Sequence, residues 1–266
     1  MTKRRKNRFY AAIVGVLVMT IAGVASLSSE SEPLSSPDVR VTKFETFDSL
    51  RNRRIPYALF SPVIEKDSTD SIQLVIFSHG YGSNYPLNYL NYSYLTKSLA
   101  RNGFWTLSIQ HELADDPSLP QTGIMQVVRM PFWTRGEANI LFVLNDFKSK
   151  YPKLKISSID LIGHSNGGDM SVLTALNHPK LIRKVITLDN LRMPIPHVSS
   201  PQFYSLRSTD KMADSSVIPP KEICITCGIQ IIQLQKITHN AMNDEGSRKQ
   251  KKQINRYIAK ILETER

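Results

Sequence analysis

Residues 159–168 read Ile-Asp-Leu-Ile-Gly-His-Ser-Asn-Gly-Gly. The apolar run at the start predicts a short buried strand, and the residues from Asn166 to about Leu176 predict a helix. The turn between them is a G-x-S-x-G pattern centred on Ser165. A serine on such a sharp strand-to-helix turn has strained dihedrals, and the residues two before and two after it must be small because backbones nearly touch there. The pattern therefore predicts that Ser165 is an exposed nucleophile.

Short apolar strands alternate with helices on both sides of this stretch. Strands are predicted at Val39–Phe47, Pro56–Phe60, Ile72–Phe77, Phe104–Ile109, Val185–Leu188, Gln202–Leu206 and Ile229–Leu234, and helices at Asn88–Asn102, Arg135–Lys150 and the end of the chain. The first two strands are expected to form a hairpin. The order predicts an α/β protein whose central sheet is mostly parallel and flanked by helices. Its active site is then expected at the carboxyl ends of the strands.

Candidate partners for Ser165 follow two later strands. His239 comes after the last predicted strand, where the base stands in the chain order Ser, Asp, His. Asp210 follows the strand before it and is the preferred acid, whose task is to hold the tautomer of His239. Asp189, at the end of an earlier strand, and Asp214 stay open as alternatives.

The turn at residues 78–82, Ser-His-Gly-Tyr-Gly, follows another buried strand. An H-G pattern at that strand end commonly shapes an oxyanion hole. We expect the backbone N–H of Tyr81 to be one donor and that of Asn166 to be the other, because preorganised amides stabilise the charge that develops in acyl transfer. His79 is expected to serve structure rather than to titrate.

With these residues in place, the chain resembles the α/β-hydrolase superfamily over residues 39–264. It is most similar to the platelet-activating-factor acetylhydrolase and dienelactone-hydrolase-like esterases. Four stretches carry the likeness: the D-x-x-R-x-R-x-x-P pattern of residues 48–56, the F-S-H-G-x-G turn of residues 77–82, a strand ending in a histidine at residues 108–112, and the G-H-S-x-G-G elbow of residues 163–168. The resemblance implies an α/β-hydrolase fold and a serine esterase acting through an acyl-enzyme, with no metal or organic cofactor.

Two departures limit what carries over. Residues 112–116 read Glu-Leu-Ala-Asp-Asp, where the family usually has an arginine-containing loop, and Asn166 replaces the commoner Phe or Met after the nucleophile. The substrate, a small-molecule or lipid ester, is therefore not specified further. Amide or peptide hydrolysis, acyl transfer on the same triad, and an inactive membrane-tethered binding protein remain as alternatives.

The site is predicted to be open. Only 13 residues, 190–202, separate Asp189 from Phe203, which leaves little room for a lid domain. Within this connection Met193 to Pro196 are candidate rim residues, and Phe132 and Trp133 are candidate rim or pocket residues, with ordinary packing as the alternative for both groups.

The first 27 residues predict an export segment. Five basic residues precede an apolar run from Phe9 to Leu27 that carries no charge. A cleaved signal peptide and an uncleaved membrane anchor both fit this pattern. We therefore expect a linker at 28–38, a catalytic domain at 39–266, and export to the cell envelope, with possible membrane association through the first segment.

Charge and cysteine content narrow the function classes further. The net charge is +11, but the basic residues outside the N-terminus are dispersed, which disfavours nucleic-acid binding. The two cysteines, Cys224 and Cys227, form one C-x-x-C without a second ligand pair, which is a weak zinc signal. We expect them in a loop before a strand, and a local disulfide stays open.

Overall fold

An eight-stranded sheet runs through the part of the chain that the computed structural model describes, residues 39–63 and 71–264. The strand order is β1-β2-β4-β3-β5-β6-β7-β8. The strands are β1 (Val39–Asp48), β2 (Arg53–Pro62), β3 (Ile72–Ser78), β4 (Trp105–Ile109), β5 (Ile156–His164), β6 (Lys184–Leu188), β7 (Gln202–Arg207) and β8 (Gln230–Gln233). β1 and β2 form the expected antiparallel hairpin, β2 pairs antiparallel with β4, and all other pairs are parallel. The predicted fold class is confirmed.

Helices cover both faces of this sheet. They are α1 (Ser93–Arg101), α2 (Met125–Val128), α3 (Met130–Lys150), α4 (Asn166–Asn177), α5 (Lys221–Cys227) and α6 (Arg248–Glu263), with 3-10 turns at Asn88–Leu90 and His239–Met242. Apolar side chains of α3 and α4 form one core with one sheet face, and those of α1 and α6 form a second core with the other. The alternation of β-strands and helices in the sequence thus produces a three-layer sandwich.

The helix predicted at residues 88–102 and the loop predicted at the cysteines both differ from the structure. The helix expected at residues 88–102 is divided, because the carboxylate of Asp244 accepts the N–H groups of Ser93 and Tyr94 at 2.8 and 3.0 Å and so starts α1 at Ser93. The two cysteines lie in α5 and not in a loop, and both are free thiols.

The turn from β5 into α4 is as tight as the glycine pattern predicts. Ser165 has a positive φ of 52°, a region that L-residues rarely occupy. A Cβ on Gly163 would lie 2.2 Å from the carbonyl oxygen of Gly167, at the start of α4. A Cβ on Gly167, in α4, would lie 2.2 Å from the carbonyl oxygen of Ser78, so this glycine is required by the end of β3 and not by β5.

The connection between β6 and β7 contains no helix or strand, as expected of a site without a large lid. Two of the apolar residues expected at the rim, and Trp133 on α3, are buried instead. Met193 and Ile195 are 5% and 2% exposed, and Trp133 is fully buried, so all three pack into the interior. Leu191 and Arg192 instead face the space beside Ser165.

The predicted export segment and linker, residues 1–27 and 28–38, lie outside the described residues. Within the described ranges, the structure contains no helix that is both long and apolar enough to cross a bilayer.

The close approach at Gly163 leads to a stability prediction. We expect Gly163→Ala to lower the free energy of unfolding by about 3 kcal/mol or more, because the new methyl group meets backbone that cannot rotate away. Urea denaturation of the purified chain measures this.

Gly103 supplies the control, because a Cβ there meets nothing within 4 Å although its φ is +87°. Gly103→Ala should cost only the backbone strain, about 1 kcal/mol. Equal losses for the two variants would mean that the turn is not sterically limited.

Candidate active site

Ser165 and His239 meet at the carboxyl edge of the sheet. Ser165 Oγ lies 3.0 Å from His239 Nε2, within hydrogen-bond reach of a nucleophile and its base. The N–H of Ser165 donates to the carbonyl of Leu188 at the end of β6, which fixes the turn against the neighbouring strand. His239 begins a 3-10 turn after β8. The structure therefore brings the predicted nucleophile and the predicted base together.

The carboxylate beside the imidazole belongs to Asp189 and not to Asp210. His239 Nδ1 lies 2.6 Å from Asp189 Oδ2. Asp210 is exposed, and its Oδ1 accepts the backbone N–H of His239 at 2.6 Å. Asp210 thus holds the loop of His239 without touching the ring. The predicted position of Asp210 beside the imidazole is wrong, and the alternative, Asp189, lies there. Asp214 is farther out, in an ion pair with Arg192.

Backbone geometry explains why Asp189, and not Asp210, lies beside the imidazole of His239. Asp189 follows directly after β6 with a positive φ of 56°, which turns its side chain across the strand ends toward His239. Its other oxygen accepts the N–H of Ser208 at 3.1 Å and pairs with Arg207 at 2.9 Å. Burial alone would raise the pKa of Asp189, but the hydrogen bond to His239, the charge of Arg207 and the bonds of Ser208 outweigh it and hold the pKa below its ordinary value. The carboxylate is therefore ionised at neutral pH.

His164 supports the base through the backbone of His239, a role that the sequence pattern does not reveal. Its Nε2 lies 3.1 Å from the carbonyl oxygen of His239, so this nitrogen carries the proton and donates. Nδ1 then accepts from the hydroxyl of Tyr92 at 2.7 Å, and that hydroxyl accepts the N–H of Gly80 at 3.2 Å. Burial lowers the pKa of His164 to about 3. The neutral ring therefore links the His239 loop to the turn after β3.

The two residues predicted to supply the oxyanion donors, Tyr81 and Asn166, both line a cavity that Ser165 borders. Asn166 is the first residue of α4, where backbone N–H groups have no partner inside the helix. The N–H of Tyr81 makes no hydrogen bond within the described chain. His79 shapes the turn before Tyr81, because its Nδ1 binds the carbonyl of Gly80 at 2.8 Å while Nε2 accepts the N–H of His111 at 3.1 Å. Neither the N–H of Tyr81 nor that of Asn166 has an acceptor among the residues that the structure describes.

The side chain of Asn166 is held in a buried polar network. Its Oδ1 accepts the indole N–H of Trp133 at 2.9 Å, and its Nδ2 donates to Glu112 Oε1 at 3.1 Å. All three residues are 2% exposed or less. The two departures from the family pattern, Glu112 and Asn166, therefore satisfy each other, a pairing across 54 positions that no local motif indicates.

Glu112 is only partly satisfied by this network. Its Oε2 is buried without a hydrogen-bond partner and lies 3.7 Å from His79 Nε2. Burial raises the pKa of Glu112 to about 7, although the positive charge of Arg135 acts in the opposite direction. A carboxyl group with a pKa of about 7 is thus hydrogen-bonded to Asn166, the residue that follows the nucleophile.

Arg53, the second arginine of the opening motif, anchors the loop that carries Glu112. Arg53 donates to both carboxylate oxygens of Asp116, at 2.8 and 2.7 Å, and to the carbonyl of His111 at 2.7 Å. Arg135 also pairs with Asp116, at 3.3 Å. The second arginine of the D-x-x-R-x-R pattern therefore has a structural role, at a distance from the nucleophile.

Two small cavities open beside Ser165. The first, which we call the histidine cavity, has a volume of about 140 Å³; among the groups lining it are Tyr81, His164, His239 and Asn240. The second, the arginine cavity, has a volume of about 180 Å³ and is lined by Tyr81, Leu119, Gln121, Arg129, Ser165, Asn166, Asp169, Leu191 and Arg192. Ser165 and Tyr81 border both, so a ligand at the nucleophile can extend into either.

Solved structures similar to this chain share its fold. A fungal esterase from Rhizomucor miehei superposes with a TM-score of 0.63 at 12% identity, over 86% of this chain and 84% of that one. A dienelactone-hydrolase-like promiscuous phosphotriesterase from metagenomic libraries gives 0.56 at 14% identity, over 76% and 83%. A ferulic acid esterase gives 0.55 at 13% identity, over 74% and 89%. The chain has the α/β-hydrolase fold.

Sequence similarity to curated proteins is local. Ethanol acetyltransferase 1 of Eremothecium cymbalariae is 42% identical over 57 residues, which are 21% of this chain and 16% of that protein. No protein-family model matches the sequence.

The raised pKa of Glu112 predicts a pH-dependent stability. Because the folded-state pKa of about 7 exceeds the ordinary value of 4.5, the native state holds this proton more tightly than the unfolded state. The contribution of Glu112 is thus fully present below pH ~4.5 and is lost as the pH rises through ~7. Glu112→Gln keeps an acceptor for Asn166. As the pH rises between those limits, we expect the free energy of unfolding of this variant to increase by roughly 1–3 kcal/mol relative to that of the native protein.

Urea denaturation at pH 5 and pH 8 measures the difference. The exposed Glu222→Gln variant is the control. Its free energy of unfolding should differ from that of the native protein by the same amount at both pH values. A constant offset between Glu112→Gln and the native protein would show that Glu112 does not titrate in this range.

Proposed function

We propose that this chain is a serine hydrolase of carboxylic esters, with Ser165 as nucleophile, His239 as base and Asp189 as the acid of the triad. The observation that carries the proposal is the relay of two contacts, Ser165 Oγ to His239 Nε2 at 3.0 Å and His239 Nδ1 to Asp189 Oδ2 at 2.6 Å. The relay begins at a strained residue that borders two cavities, where a substrate has access.

The reaction follows from the positions of these groups. His239 takes the proton of Ser165 as Oγ attacks the ester carbonyl, and the carbonyl oxygen becomes an oxyanion between the amides of Tyr81 and Asn166. His239 then gives its proton to the oxygen of the departing alcohol, leaving an acyl-enzyme. A water molecule, deprotonated by His239, attacks the acyl carbon and releases the acid and Ser165.

Asp189 has two tasks in this scheme. Its Oδ2 holds the proton of His239 on Nδ1, which leaves Nε2 free to accept from Ser165. Its ionised state, maintained by Arg207 and Ser208, stabilises the imidazolium that forms during each proton transfer. Asp210 contributes only to the position of the loop, through the N–H of His239.

The comparisons support hydrolysis of esters and also favour one alternative. Similar folds are found in proteins described as esterases, whereas the local sequence match is to an ethanol acetyltransferase. Acyl transfer uses the same acyl-enzyme with an alcohol in place of water. Product analysis in the presence of ethanol separates the two, because a transferase forms the ethyl ester in preference to the free acid.

We also propose that the protein is exported to the cell envelope. The basic residues before the apolar run of residues 9–27 support this. Fractionation of the producing cells tests it, and recovery of the chain in the cytoplasm would contradict it.

The assignment of Asp189 predicts unequal effects of two matched substitutions. Asp189→Asn should lower kcat for a short ester by roughly 10³–10⁴-fold, because the amide favours the wrong tautomer of His239. Asp210→Asn, which keeps an acceptor for the same backbone N–H, should lower kcat by less than about tenfold. Steady-state hydrolysis with both purified variants measures the two values.

Ser165→Ala sets the background rate of the assay, and thermal unfolding shows whether each variant is folded. A larger loss for Asp210→Asn than for Asp189→Asn would contradict the assignment.

A further inference from the structure

The two cavities divide a bound ester into its two parts. In the proposed reaction, His239 must reach the oxygen of the departing alcohol, so the alcohol lies on the side of the imidazole. His239 lines the histidine cavity and not the arginine cavity, whereas Asn166 lines the arginine cavity and not the histidine cavity. The acyl group, whose carbonyl oxygen faces the amide of Asn166, therefore extends into the arginine cavity.

Arg129 is a buried cation that pairs with no carboxylate of the described part of the chain. It is 8% exposed. Its Nε donates to the carbonyl of Pro120 at 2.9 Å and its Nη2 to Gln121 Oε1 at 3.2 Å, both neutral acceptors. Among the residues that the structure describes, it forms no ion pair, and its Nη1 makes no hydrogen bond.

Such a guanidinium is poorly compensated. Burial lowers the pKa of Arg129, with the charge of Asp169 acting against this shift. Removing an ionised group from water is unfavourable unless an opposite charge and hydrogen bonds replace the lost hydration. Because arginine presents a planar fork of donors, a ligand carboxylate in the cavity supplies both.

The other charged groups of the arginine cavity, Arg192 and Asp169, already bind groups of the protein itself. Arg192 pairs with Asp214 and keeps its Nε buried without a partner. Asp169 Oδ1 accepts the N–H groups of Arg192 and Met193 at 3.1 and 2.8 Å, and burial raises the pKa of Asp169 to about 6. Asp169 therefore serves the backbone of the neighbouring loop and offsets Arg129 only from a distance.

The small volume and polar lining argue against a long fatty acyl chain. Of the side chains around the arginine cavity, only Leu119 and Leu191 are aliphatic. An apolar chain in this space would displace the remaining water from Arg129 and return no hydrogen bond.

We propose that the arginine cavity binds a carboxylate at the far end of the acyl group, so that the preferred substrates are half-esters of short dicarboxylic acids. This inference rests on the proposed ester hydrolysis and names its substrate class. Water cleaves the ester bond, the alcohol leaves with the proton delivered by His239, and the dicarboxylate is released. Arg129 binds the carboxylate that does not react.

The test compares matched esters with the purified full-length chain. The monoethyl esters of succinic, glutaric and adipic acid are paired with ethyl esters of equal length that end in a carboxamide, and release of ethanol is measured. At the best length we expect kcat/KM to be at least about tenfold higher for the carboxylate, since a charge-assisted contact is worth that much. Equal turnover of both series at every length would overturn the inference.

Variants of Arg129 locate the effect. Arg129→Gln should remove most of the preference through a higher KM for the carboxylate, with less than about threefold change for the carboxamide. Arg129→Lys should restore part of the preference, and Arg101→Gln, at an exposed site on α1, should leave both values unchanged. An equal loss for both substrates in a folded Arg129→Gln protein would also overturn the inference.

The outcomes distinguish this inference from the proposed function. If the Arg129 variants do not fold, the comparison of the two ester series with the native chain decides alone. If the native chain cleaves the carboxamide esters in a Ser165-dependent way without preferring carboxylates, only the inference fails. If no ester of either series is cleaved above the Ser165→Ala background, the proposed function fails and the inference with it.

Discussion

The close approach of three backbones at the turn between β5 and α4 is the constraint on which the rest of the site depends. Gly163 meets the start of α4, and Gly167 meets the end of β3, each at distances that admit no Cβ. This contact forces Ser165 into a positive φ and leaves its side chain between two cavities. The same turn places the start of α4 and the loop after β3 beside the cavities that Ser165 borders. Strain at one residue is thus compensated by the packing of two strands and a helix.

The base is held with comparable redundancy, by contacts from separate parts of the sheet edge. Asp189, after β6, binds the ring of His239, and Asp210, after β7, binds its N–H. His164, at the end of β5, binds its carbonyl. Each contact uses a different atom of His239, so ring tautomer and loop position are fixed independently. Desolvation keeps the buried His164 neutral, whereas the hydrogen bond to His239 and the charge of Arg207 keep Asp189 ionised, so the surroundings set the charge of each group.

The parts of this site that were predictable from sequence are those set by local sterics. The elbow at Ser165 and the place of His239 after the last strand follow from short-range patterns and chain order. The choice between Asp189 and Asp210 cannot be made from such patterns, because it depends on one backbone dihedral and on Arg207, which lies 18 residues beyond Asp189. The pairing of Glu112 with Asn166 is equally invisible in sequence, since contacts between distant loops leave no periodic signal.

The most direct measurement of the central claim is labelling of the full-length chain with a fluorophosphonate, with the modified residue located by mass spectrometry. A fluorophosphonate reacts with a serine whose proton is accepted by a neighbouring base. The account predicts stoichiometric modification at Ser165, none in Ser165→Ala, and loss of labelling in a folded His239→Ala variant. A folded native chain that is not labelled, or one labelled at another serine, would contradict it.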